Sequence, residues 1–119
     1  MTGPFGKPGA RWEAFDVVDD VLIRDVWPAR GEPYCHTCSK AAFQEVLYAI
    51  DDQDGRPFSG EDLVGATDVP STQVFTALAF LKERSIVTAA RSRKTVIAGI
   101  FDAYLDGMTE FEAKQEARG

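Results

Sequence analysis

The sequence predicts a mainly α-helical domain with one small β-hairpin, flanked by further helices at its N- and C-terminal ends. Two observations carry this. Apolar residues recur at helical intervals in three stretches, 39–51, 59–66 and 71–84, the first two opening on a serine suited to capping and the third preceded by Pro70. After the third stretch two β-prone runs, residues 86–90 and 95–98, flank the basic turn Arg91-Ser92-Arg93-Lys94. Two such runs around a short polar turn make a strand pair.

The bounds agree with one domain. At 119 residues, 45% hydrophobic and 27% charged, the chain has room for one core. No apolar run approaches the roughly 20 residues of a membrane span, and the first residues lack the apolar core of a secretory signal. The expectation is a cytoplasmic protein without membrane contact. Residues 1–10 hold three glycines and two prolines and read as a flexible arm, leaving 11–119 as the domain.

From Arg11 to Trp27 two periods compete. Trp12, Phe15, Val18, Leu22 and Val26 recur at intervals of three and four, whereas the valines and Ile23 around Asp19-Asp20 also suit two strands and a turn. A helix ending at Pro28 is the favoured reading. Ser39 then caps a helix to Asp51, with Phe43, Val46, Leu47 and Ile50 on its buried stripe. Ser59 with Asp62 three residues on forms a capping box for a short helix that buries Leu63 and Val64. Pro70 suits the first position of the next helix, whose inward residues are Val74, Leu78 and Leu81. A last helix over about 100–117 carries Phe101, Tyr104, Met108, Phe111 and Gln115 at alternating intervals of three and four, a seam fit for dimerisation. Gly107 weakens that helix by about 1 kcal/mol relative to alanine.

The net charge of −6 disfavours a nucleic-acid partner until its distribution is read. Residues 71–100 hold five Lys or Arg against one acid, +4, whereas 31–70 hold two against eight, −6. Positive charge thus gathers on the third helix and the hairpin, where a phosphate contact needs it.

These elements resemble the winged-helix DNA-binding regulators of the MarR, ArsR and IclR kinds over about residues 40–99. The likeness rests on Val69-Pro70-Ser71-Thr72-Gln73-Val74 entering a helix, on Leu78 and Leu81, and on the exit Ser85-Ile86-Val87 into the hairpin. It implies a winged helix-turn-helix fold and a sequence-specific transcriptional regulator. Helix 71–84 would lie in the major groove of double-stranded DNA, with Ser71, Thr72, Gln73 and Thr76 facing it. Arg91, Arg93 and Lys94 would grip the backbone as the wing. It also implies a homodimer reading two half-sites, joined by the terminal helices. Two departures stand out. Ser85 replaces a glycine suited to a left-handed helix exit, and the third helix lacks outward Arg or Lys, offering Phe75 and Phe80 instead. A winged-helix protein-interaction module is therefore one alternative, and a Cys-x-x-Cys redox- or zinc-responsive protein with the winged helix as scaffold is another.

Cys35 and Cys38 form a Cys-x-x-Cys pair with three readings: half of a zinc site, a redox-sensing pair, or two ordinary thiols. Zinc needs four ligands, and the lone histidine, His36, lies between the cysteines. No cofactor is otherwise implied. No catalytic constellation or phosphate-binding glycine loop is present, so the expectation is a non-enzyme.

Overall fold

The computed structural model describes residues 10–89, 96–98 and 102–117. The chain opens with three antiparallel strands, β1 (Trp12–Val18), β2 (Val21–Trp27) and β3 (Tyr34–Ser39). Helices α1 (Lys40–Asp51), α2 (Gly60–Ala66) and α3 (Ser71–Glu83) follow. The hairpin β4 (Val87–Ala89) and β5 (Val96–Ala98) then leads to α4 (Ala103–Glu116).

The sheet at the front overturns the expected layout of a winged helix-turn-helix between two terminal helices. Residues 11–27 are not a helix. Period two prevails there: Phe15, Val17, Leu22 and Val26 point to the core, with Val17 opposite Leu22 across the hairpin. On the other face Trp12 pairs with Trp27, ring centroids 4.4 Å apart. Asp19 and Asp20 both take left-handed backbone angles, φ 51° and 63°. That is the two-residue turn whose twist matches a hairpin, and aspartate is among the few residues that tolerate it. The helical spacing of Trp12, Phe15, Val18, Leu22 and Val26 is a coincidence that β-branched neighbours outweigh.

The later helices form as their caps dictate. Ser39 Oγ accepts the Ala42 N–H at 3.1 Å, and α1 buries Phe43, Val46, Leu47 and Ile50. In α2 the capping box closes in both directions, Ser59 N–H to Asp62 Oδ2 at 2.8 Å and Asp62 N–H to Ser59 Oγ at 3.1 Å. Pro70 sits one place earlier than expected, as the cap rather than the first residue of α3. Ser85 adopts the left-handed exit, φ 62°, with Ile86 N–H bonded to Leu81 O and Ser85 N–H to Lys82 O. That is a Schellman closure without its usual glycine.

The core lies between the sheet and the helices. Helix α3 crosses the inner face of the sheet, with Phe80 edge-on to Phe15 at 5.5 Å and to Phe43 at 5.9 Å. Helix α4 packs on α1 and β1, and its Phe111 is fully buried against Phe43 at 5.0 Å. The seam expected to hold two copies together thus spends Phe111 inside its own chain, while Phe101 lies outside the described residues. No helix among the described residues is long and apolar enough to cross a membrane.

Candidate nucleic-acid interface

The residues expected to face DNA from α3 divide into two pairs. Ser71 and Thr72 are exposed in its first turn, whose N-cap, Pro70, offers no side-chain hydrogen bond. Gln73 and Thr76 are committed to the fold. Gln73 Oε1 accepts the backbone N–H of Ser39 at 3.0 Å, tying α3 to the end of β3. Thr76 is fully buried, and its hydroxyl donates to Thr72 O at 2.7 Å. With Phe80 against Phe15, the side of α3 that carries these residues lies on the sheet and cannot enter a major groove as folded.

What α3 leaves accessible is a stripe of Thr72, Phe75, Ala79 and Lys82. Phe75 is 40% exposed and borders an open groove of about 500 Å³ that also touches Leu78, Arg24 and Glu13. Arg24 is ion-paired there with Glu13 at 2.8 Å, so this wall presents little net charge. Arg91, Arg93 and Lys94 lie outside the described residues. The pairing of Val87 with Ala98 and of Ala89 with Val96 establishes the hairpin that residues 90–95 connect.

The two cysteines are not brought together. Both lie on β3, three residues apart, and a strand turns such residues to opposite faces. Cys38 stands opposite Leu22 in the core, fully buried, whereas Cys35 stands opposite Asp25 on the outer face, exposed. Neither one metal ion nor one disulfide spans that arrangement. Burial pushes the Cys38 thiol up to about 12. The Cys35 thiol is also raised, first by desolvation and then by its hydrogen bond to Asp25 and that carboxylate's charge. Both shifts favour the inert thiol over the thiolate that metal binding and redox attack require. The expected helix N-terminus beside them is present at Ser39, but the strand aims the sulfurs elsewhere. His36 packs its ring on Tyr34 at 4.9 Å. Among the described residues no group of three or more His, Cys, Asp or Glu side chains is placed to hold a metal.

A second exposed surface joins Tyr104 and Met108 of the expected seam to a residue of α1 that carries no expectation from the sequence. The buried stripe of α1 leaves Tyr48 on the outward side, where its ring stacks on Tyr104 of α4 at 4.5 Å. Helical phase relative to Phe43, Val46, Leu47 and Ile50 was the available signal. The chain matches no family model, no curated protein and no solved structure.

Proposed function

We propose that this chain is a non-enzymatic protein that binds double-stranded DNA by its phosphate backbone, with Arg91, Arg93 and Lys94 as the grip. The observation that carries the proposal is the concentration of charge. In a chain of net charge −6, three cations fall within four consecutive residues of one hairpin connection. Phosphate contacts are made by such local clusters of cations, and the negative total weakens the long-range attraction around them. Ser71 and Thr72, at the open start of α3, add hydroxyl donors suited to phosphate. Base reading by α3 is left out, because Gln73 and Thr76 already have partners inside the fold. Binding of this kind is largely indifferent to sequence.

Titration of the chain with a mixed-sequence duplex at two salt concentrations tests it. Wild type binds at low salt and weakens as salt rises, with a slope of about 0.9 per phosphate contacted. Replacing Arg91, Arg93 and Lys94 together by alanine flattens that slope by up to about three contacts' worth. Equal affinity of the triple variant, or no binding by wild type at low salt, overturns the proposal.

A second reading, a protein-interaction module, is favoured by the half-exposed Phe75 over its groove. A wild type that ignores DNA at both salts moves the function there.

A further inference from the structure

The two most exposed large hydrophobic side chains among the described residues lie on the same side of the molecule, one on α1 and one on α4. Leu105 is 63% exposed and Tyr48 57%. Between them the rings of Tyr48 and Tyr104 stack at 4.5 Å with 16° between their planes. Gln44 Nε2 donates to the Tyr104 hydroxyl at 3.1 Å, which fixes the pair. Met108 continues the apolar line one turn further along α4, half-buried against the core.

This platform is held rigid. The Asp51 carboxylate accepts the N–H groups of Ala103 and Tyr104 at 2.9 and 3.1 Å, anchoring the start of α4 to the end of α1. At the other end Gln115 bonds both the backbone N–H and the carboxylate of Asp20. A surface fixed at both ends loses little entropy on receiving a partner.

Its surroundings are acidic. Along α4 an open groove of about 450 Å³ runs past Leu105 and Met108 to Glu112 and Glu116. On the far side of Tyr48 a second groove, of about 310 Å³, is bordered by Glu45, Asp52 and Asp68. Neither groove has a Lys or Arg in its lining. Of these five carboxylates, Glu112 meets a cation, Lys40, at 2.9 Å. An apolar strip with carboxylates on both flanks repels DNA. It also repels a second copy of itself, since a two-fold contact would set like charges against each other.

We propose that the Tyr48–Tyr104–Leu105–Met108 strip is a docking surface for a basic amphipathic helix of a partner protein, one with an apolar stripe flanked by lysine or arginine. Such a helix lays its apolar residues along α4 while its cations meet the acids on either side. The proposal is independent of the DNA reading, because it uses none of residues 71–100.

The probe is a synthetic fourteen-residue helical peptide of leucine and lysine, with leucine at helical spacing on one face. Its binding to the full chain is followed by fluorescence anisotropy, beside a twin in which every lysine is glutamate. The lysine peptide binds and the glutamate twin does not. The double variant Tyr48→Ala/Leu105→Ala keeps every charge, so diffuse attraction between a cationic peptide and an acidic protein leaves it unaffected. Docking on the strip predicts at least tenfold weaker binding by that variant, whose fold is checked by circular dichroism. Equal binding by the variant, binding of the glutamate twin, or no binding of the lysine peptide overturns the proposal. Sedimentation of the wild type at twice the chain mass, abolished by the same two substitutions, assigns the strip to a second copy instead.

Discussion

Helices α3 and α4 are of nearly equal length, 13 and 14 residues, and each follows an apolar stripe, yet they have opposite fates. In α3 the buried set is Val74, Thr76, Ala77, Leu78, Phe80 and Leu81, which occupies more than one side of the helix. The sheet covers one side, while α1 and α2 cover another. In α4 the buried set is Ala103, Gly107 and Phe111, a single line at intervals of four. The helix expected to read DNA is thus the more enclosed of the two. The terminal helix keeps an open face. A stripe of moderate hydrophobicity does not by itself tell a reading helix from a core helix. The number of elements that pack on the helix decides it.

The sharpest way to break this contrast is to truncate one apolar residue on each helix. Phe80→Ala removes a ring packed against Phe15 and Phe43 and should cost about 3–5 kcal/mol in urea unfolding. Leu105→Ala on the open face of α4 should stay within about 0.5 kcal/mol of wild type. A loss below about 1 kcal/mol at Phe80 would mean that the sheet does not enclose α3.

The intermediate case is a glycine. Helix propensity alone makes Gly107→Ala favourable by about 1 kcal/mol. Packing opposes it. An added Cβ would stand 2.5 Å from Leu47 Cδ2 and 3.2 Å from its Cγ. Leu47 is fully buried, so it has no free space to turn into, and overpacking costs about 1–3 kcal/mol. The expected net result is a loss of about 1 kcal/mol, read as a lower melting temperature. Gly60→Ala makes the control. Its Cβ meets the ring of Phe75, a side chain already reaching solvent, and the loss should be smaller. A stabilised Gly107→Ala would place α4 further from α1 than described.

The local parts of this fold were legible in the sequence and the non-local parts were not. Ser39, Ser59 with Asp62, and the stripe from Phe43 to Ile50 act within a turn or two of chain, and each did what its residue type dictates. The runs around residues 91–94 likewise form the expected hairpin. The hairpin of β1 and β2 is the local exception: its apolar residues fit both periods, and packing of its inner face on α3 and α4 selects the strands. The β3 sequence Tyr-Cys-His-Thr-Cys-Ser turns one apolar side chain, Cys38, fully inward, so its alternation is faint. The error spread to the site. Gln73 and Thr76 are sound base-contacting residue types, but their availability depends on whether anything covers α3; of the strands that do, β2 lies in the stretch expected as a helix and β3 in one with no expected element. For Cys35 and Cys38 the spacing suggested a shared ligand until the strand set them on opposite faces.

The smallest expected effect returns to how the two helices end. Helix α4 closes at Ala117 with an ordinary right-handed angle, φ −62°. Helix α3 closes through Ser85 at φ 62°, where a Cβ crowds the backbone and only glycine is at ease. The bonds of Ile86 N–H to Leu81 O at 2.9 Å and Ser85 N–H to Lys82 O at 3.1 Å hold that angle. They also aim the chain at β4, so the serine is kept there by geometry and not by preference. Ser85→Gly relieves the crowding and admits more freedom to the unfolded chain. The first effect is the larger at a left-handed position. A gain of about 0.5–1 kcal/mol is expected, a rise of about 2–6 °C in melting temperature for a domain of this size. Ala117→Gly, at an angle alanine already favours, should give no gain. An unchanged or lower melting temperature for Ser85→Gly would show that the hydroxyl contributes at the exit of α3, and that the missing glycine is a substitution of function and not a tolerated strain.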